Sequence, residues 1–176
     1  MVNIGQQGSD EPLRPHGLKQ LKSVFGDIER YIVTLADGTR TLNPDFEAEF
    51  LSYITLPFPL AIAGRPGKVA RRLNCHRLLV GNFQAVFREL AEEKYRPHLK
   101  TFGGAFNFRP KSSGRGLSTH SWGIAIDLNP ETNRRGTKGE MPADIVSLFK
   151  AHGFVWGGIW NGVRKDPMHF QYCTGY

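Results

Sequence analysis

Two histidines and two aspartates in the second half of the chain have the side-chain types and spacings that hydrolytic chemistry needs. His120 and Asp127 bracket the stretch THSWGIAID, and His169 follows Asp166 by three residues in DPMHF. Two imidazoles and a carboxylate form a donor set that a catalytic zinc takes from a protein, leaving one coordination position for water. That water needs a nearby base. The expected assignment is one Zn2+ held by His120, Asp127 and His169, with Asp166 as the general base.

Seven residues is an odd separation, so a regular strand would send His120 and Asp127 to opposite faces. A shared site needs a bulge or loop between them, which Ser121, Trp122 and Gly123 can supply. Ile124 and Ile126 then anchor the core face of a strand that ends at Asp127. Pro167 interrupts regular pairing and lets Asp166 and His169 turn toward one cavity.

Each residue also has a plainer use. Asp127 suits a turn before Asn129-Pro130, and Asp166 suits a surface pair with Lys165 or Arg164, worth only ~0–1 kcal/mol. Ser118 is either a substrate contact or a hydrogen-bonding turn residue. Trp156 and Trp160 are substrate platforms or core and rim aromatics. His16, His76, His98 and His152 lack partner spacing and are read as ordinary histidines.

The elements that must position these groups fit one domain over residues 1–176, since a chain of this length buries about 70% of its unfolded surface. Residues 1–15 are polar, carry Gly and Pro, and read as a loose arm. YIVTLADGTRTLN, residues 31 to 43, reads as a hairpin turning at Asp37-Gly38. NPDFEAEFLSYI reads as a helix capped by Asn43 with Pro44 in its first turn. LPFPLAIAGRPGK returns to extended structure and a turn. Leu79, Phe83, Val86, Phe87, Leu90 and Ala91 recur at helical spacing within a helix expected from about Leu73 to Lys94. A second compact helix is expected from Pro142 to Gly153, burying Ile145, Leu148 and Phe149. Extended segments are expected at 102–109, 120–128, 153–160 and 166–172. This order predicts an α+β fold with helices packed on a small, mainly antiparallel sheet.

Composition excludes little beyond a membrane span, because hydrophobic content is 40% and no long apolar run occurs. The N-terminus lacks a signal-peptide pattern, so synthesis in a cytoplasm is expected. Cys75 and Cys173 read as free thiols in packed positions, with a disulfide as the alternative. The formal net charge of +7 fits a nucleic-acid binder, a protein acting on an anionic polymer, or simply solvated faces. Charge alone does not choose among them.

The joint pattern is more specific. Ser118-x-His120-x-x-Gly123-x-Ala125-x-Asp127, followed by Asp166-x-x-His169, resembles the zinc D-alanyl-D-alanine carboxypeptidase family of metallopeptidases. The resemblance runs over roughly residues 73–172 and implies a hedgehog/DD-peptidase-like core. GGAFNFRP and the WGGIW and DPMHF segments are most similar to the L-alanyl-D-glutamate endopeptidase branch, which includes phage endolysins. The resemblance implies zinc ligation by His120, Asp127 and His169, Asp166 as base, and Arg109 on the substrate carbonyl or carboxylate, with Arg115 as a competitor for that role. Ser118, Arg115, Trp156 and Trp160 are the expected substrate contacts. The implied partner is the peptidoglycan stem peptide. A monomer without stable membrane insertion or nucleic-acid binding is expected to act at the bacterial wall, reached through a separate pore if it is an endolysin. The alternatives are a D-Ala-D-Ala carboxypeptidase or a zinc-bearing cell-wall module without catalysis.

Overall fold

Ile54, Leu56, Phe58 and Leu60 are buried while the residues between them face solvent. This period of two makes Leu51–Ile62 the longest strand of the fold. Residues 13–176 are described by the structure, a computed structural model of the chain. The arm expected at 1–15 lies outside them except for its last three residues. Two of these are tied down: Thr174 N donates to the Pro15 carbonyl at 2.9 Å, and Arg14 Nη1 donates to the Gly153 carbonyl at 3.3 Å.

In chain order the elements are α1 (Gly17–Phe25), β1 (Ile32–Thr34), β2 (Arg40–Leu42), α2 (Pro44–Phe50), β3 (Leu51–Ile62), β4 (Val69–His76), α3 (Val80–Leu90), β5 (Thr101–Gly104), β6 (Ala125–Leu128), α4 (Ala143–Ala151), β7 (Val155–Trp156) and β8 (His169–Gln171). β1 and β2 form the small hairpin expected around Asp37-Gly38. The other six strands form one sheet in the order β4-β3-β5-β6-β8-β7. Only β3 and β5 pair in parallel; the remaining pairings are antiparallel. The fold is α+β, as the alternation of patterns implies.

Two expected helices are shorter than their apolar spacing suggests. The Asn43 side chain accepts from Asp45 N at 2.9 Å and starts α2 as expected, but the helix ends at Phe50. Leu51–Ile54 pair instead with His76–Leu73. The helix expected from Leu73 begins only at Val80, because Leu73 and Cys75 belong to β4 and bury at strand period. It also stops at Leu90, four residues short of Lys94. Tertiary pairing overrides a local helical pattern at both junctions. α4 matches its expected span, with Gly153 at φ 85° ending it and Ile145, Leu148 and Phe149 buried. The extended segments are also shorter than expected, reduced to β5, β6, β7 and β8 by turns and short 3-10 helices.

The core lies between the sheet and the helices. Phe87 of α3 packs near Phe58 of β3, and Phe149 of α4 stacks on Phe170 of β8 with ring centroids 4.1 Å apart. Phe170 pairs in register with Ile126, so these residues occupy the helix-facing side. Strand alternation then sends Asp127, His169 and Gln171 to the opposite face. Cys75 and Cys173 are buried free thiols, each pushed up to about 12 by burial. Among the described residues no helix is long and apolar enough to cross a membrane.

His76 is buried against the rings of Phe25 and Phe50, and its Nδ1 accepts from Leu78 N at 3.2 Å. Burial pushes its pKa down to about 4, with Arg77 adding to the shift and a Phe25 backbone contact opposing it. The folded state therefore holds His76 neutral while the unfolded chain takes up a proton below its ordinary pKa of 6.5. Its stability contribution is complete above that value and is lost as pH falls toward 4, by up to roughly 3 kcal/mol. His76→Asn keeps a capping oxygen, so urea midpoints at pH 7.5 and 4.5 should differ less in this variant than in the wild type. Equal pH dependence in the two would reject this role for His76.

Candidate metal centre and active site

Strand pairing builds the first half of the centre. Asp127 on β6 and His169 on β8 are register partners, and their side chains meet with His169 Nδ1 2.9 Å from Asp127 Oδ1. His120 arrives from a different element. Thr119–Trp122 form a short 3-10 helix, and Gly123 then turns through φ 68° into β6. A Cβ at Gly123 would lie 2.8 Å from His76 N, so both the left-handed backbone and the close approach require glycine. This irregularity solves the odd spacing. His120 Nε2 lies 3.2 Å from both Asp127 Oδ2 and His169 Nδ1.

The remaining ring nitrogens decide which lone pairs are free. His120 Nδ1 lies 2.6 Å from the Ala105 carbonyl, so it carries the hydrogen and leaves Nε2 as a donor to a metal. His169 Nε2 lies 3.0 Å from Gln171 Oε1, which leaves Nδ1 in the same state. Three ligand atoms, one from each of His120, Asp127 and His169, fall within 4.8 Å of one another. Both imidazoles are at least 94% buried, with exposures of 2% and 6%. This donor set, oriented by outer hydrogen bonds, fits a catalytic zinc.

The electrostatics agree. Burial alone would raise the Asp127 carboxyl, but His120 and His169 outweigh it and hold the group well below the usual carboxylate range. Burial alone would lower His169, and Asp127 reverses that as well. A carboxylate so stabilised is ionised at any pH where a metal would bind.

Asp166 stands beside this cluster at the wall of an open cavity of about 710 Å3, which His169 also lines. Its backbone is fixed: Asp166 N donates to the Gly157 carbonyl at 3.0 Å, and His169 N donates to the Asp166 carbonyl at 3.1 Å. Gly157 permits this approach, because a Cβ there would sit 2.6 Å from Asp166 O. Asp166 Oδ1 is buried and accepts no hydrogen bond. Burial is the largest influence on its carboxyl and raises its pKa, Asp127 adds to that, and His169 and Arg135 oppose it. An unpaired carboxylate with a raised pKa beside a metal-ligand cluster is suited to proton transfer.

Of the other expected residues, Arg109, Ser118 and Trp160 line the same cavity. Arg109 is positioned by Ser121, whose Oγ accepts from Arg109 N and donates to the Arg109 carbonyl, both at 3.1 Å. Ser118 caps the 3-10 helix that carries His120. Trp160 lies 5.6 Å from His169, centroid to centroid. Arg115 and Trp156 are not brought here. Arg115 lines a separate, smaller cavity together with its neighbours Gly114, Gly116 and Leu117, whereas Lys111, Ser112 and Ser113 of the same turn line the larger one. Trp156 donates from Nε1 to the Pro167 carbonyl at 2.8 Å and props the turn that holds Asp166.

Further residues contribute to the site, of which Gln171, the Ala105 carbonyl and Arg164 were not expected there, whereas Lys111 and Arg135 belong to basic clusters visible in the sequence. Gln171 shares a strand face with His169 at a spacing of two, a signal open to inspection. The Ala105 carbonyl has no signal, since any residue type supplies one. Lys111, Arg135 and Arg164 add three cations to the cavity wall alongside Arg109. Lys111 Nζ sits 3.3 Å from the centroid of the Tyr176 ring, and burial lowers its pKa.

Residues 111–172 match the family model described as D-alanyl-D-alanine carboxypeptidase. The matched span contains all three ligand candidates and Asp166, and it stops short of Arg109. No solved structure matches the chain. The match and the cluster together support a hydrolase of the metallopeptidase type acting on peptidoglycan, with a His120-Asp127-His169 group able to hold a metal ion.

Proposed function

We propose that this protein is a zinc-dependent L-alanyl-D-glutamate endopeptidase that cuts peptidoglycan stem peptides, in the manner of a phage or prophage endolysin. The observation that carries the proposal is the convergence of His120 Nε2, Asp127 and His169 Nδ1 beside a buried Asp166 oxygen without a partner. A zinc ion on these three ligands supplies Lewis-acid polarisation of the scissile carbonyl and an acidified water.

The chain's own groups do the rest. Asp166 takes a proton from the attacking water and returns it to the leaving amine. Arg109 places fixed positive charge toward the carbonyl oxygen as negative charge develops there. Ser118 and Trp160 form walls that orient the peptide. Among the described residues that line the cavity, the four cations Arg109, Lys111, Arg135 and Arg164 outnumber the carboxylate of Asp166, which favours a ligand carrying several carboxylates.

Support for internal cleavage comes from the cavity's exposed rim at Ser112, Ser113, Asn161 and Arg164, which leaves room for a chain continuing past the reacting bond. The family description equally suits removal of a terminal D-Ala. Mass spectrometry of defined stem peptides digested by the zinc-loaded protein separates the two. A new amine on D-Glu is expected; release of D-Ala alone would replace the endopeptidase reading with a carboxypeptidase.

A further inference from the structure

The excess positive charge is concentrated in one part of the chain. Residues 50–88 contain six Lys and Arg and no Asp or Glu, while the other 137 residues carry seventeen against sixteen. Six of the seven excess charges therefore belong to the β3–β4 hairpin and the helix that follows it. Solubility alone gives no reason for that segregation.

Arg65, Lys68, Arg71 and Arg72 stand on the hairpin turn and on β4, and all four are exposed. β4 is an edge of the sheet, with β3 and β5 between it and β6, roughly 14 Å away across the ladder. The chain of β3 bulges between Thr55 and Leu60, opposite Arg71. Among the described residues no carboxylate pairs with any of the four. Arg72 lies over the Tyr53 ring at 4.5 Å, and among the described residues Tyr53 is the one exposed aromatic on this strip.

A row of unpaired cations along an extended edge fits a linear polyanion better than a small ligand, whose charges would call for a concave site. One aromatic, already faced by Arg72, gives the strip no succession of platforms on which consecutive bases could stack. We infer that the β3–β4 edge is a docking strip, separate from the catalytic cavity, for the carboxylate-bearing wall polymer itself. The choice of that polymer rests on the peptidase reading above. The strip would hold the enzyme on insoluble wall while the cavity works on neighbouring stems, so it should matter for polymer and not for soluble peptide.

The test compares the full-length zinc-loaded protein with an R65Q/K68Q/R71Q/R72Q variant. Co-sedimentation with sacculi stripped of phosphate polymers is measured at low and high salt, along with turnover of a soluble stem peptide. The variant should bind sacculi at least about tenfold more weakly at low salt, with soluble-peptide kcat/KM unchanged and a flatter salt dependence. Wild-type binding should also fall when the wall carboxyls are amidated. Undiminished sacculus binding by the variant would overturn the proposal, as would preferential capture of the wild type by duplex DNA. Cations that only protect an exposed edge would give a variant that self-associates but still binds wall, which also counts against docking. Because binding is read separately from hydrolysis, a wild type that binds wall but cuts no peptide would reject the peptidase reading alone.

Discussion

Asp166→Asn is expected to lower kcat on a stem-peptide substrate by about 10²–10⁴-fold, the usual contribution of a positioned general base. The amide keeps the shape of the side chain and loses its charge and its ability to take a proton. The fold should not notice. Asp166 Oδ1 makes no hydrogen bond, and the contacts that set the turn are backbone ones, to Gly157 and from His169. Asn removes a charge that burial disfavours but leaves an amide without a partner in the same place, so the variant's thermal midpoint should stay close to that of the wild type. Zinc content should also be unchanged, because Asp166 is not among the three converging ligands. Steady-state kinetics, a melting curve and metal analysis on one preparation test all three expectations. Full activity in Asp166→Asn would remove the base from the mechanism.

His169→Ala is expected to abolish hydrolysis by a different route, through loss of the metal. Structural zinc sites bind with an apparent ~10–16 kcal/mol, so one ligand in four represents roughly 3–4 kcal/mol, or about 10²–10³-fold in affinity. Gln171→Ala should act in the same direction but less, about 10–100-fold, because it only orients the imidazole through Nε2. Competition against a chromophoric chelator measures both variants. Equal zinc affinity in wild type and His169→Ala would exclude this histidine from the centre. The graded order of the two variants distinguishes a ligand from its support.

The centre was legible in the sequence for reasons specific to these residues. Zinc ligands are few in kind, and His120, Asp127 and His169 combine the right kinds with a glycine and a proline at the places where the chain must bend. The register of Asp127 against His169 was not stated in advance, yet it follows once β6 and β8 are neighbours. The cavity wall was less accessible. Arg115 and Trp156 were plausible by type, but the turn at 111–116 and the Pro167 carbonyl direct them elsewhere, and no local pattern records such choices. The helices overreached where LSYI and LNCH share apolar residues with both periodicities; only pairing across β3 and β4 resolves the ambiguity. Length and caps located α4 correctly because Pro142 and Gly153 act locally.

The most direct test of the account is a zinc titration of metal-stripped protein with hydrolysis of a defined stem peptide as the readout. The account predicts no turnover in the stripped protein and a linear return of activity that levels off at one equivalent of zinc. Turnover that persists without metal, or a plateau at two equivalents, would contradict a single zinc held by His120, Asp127 and His169.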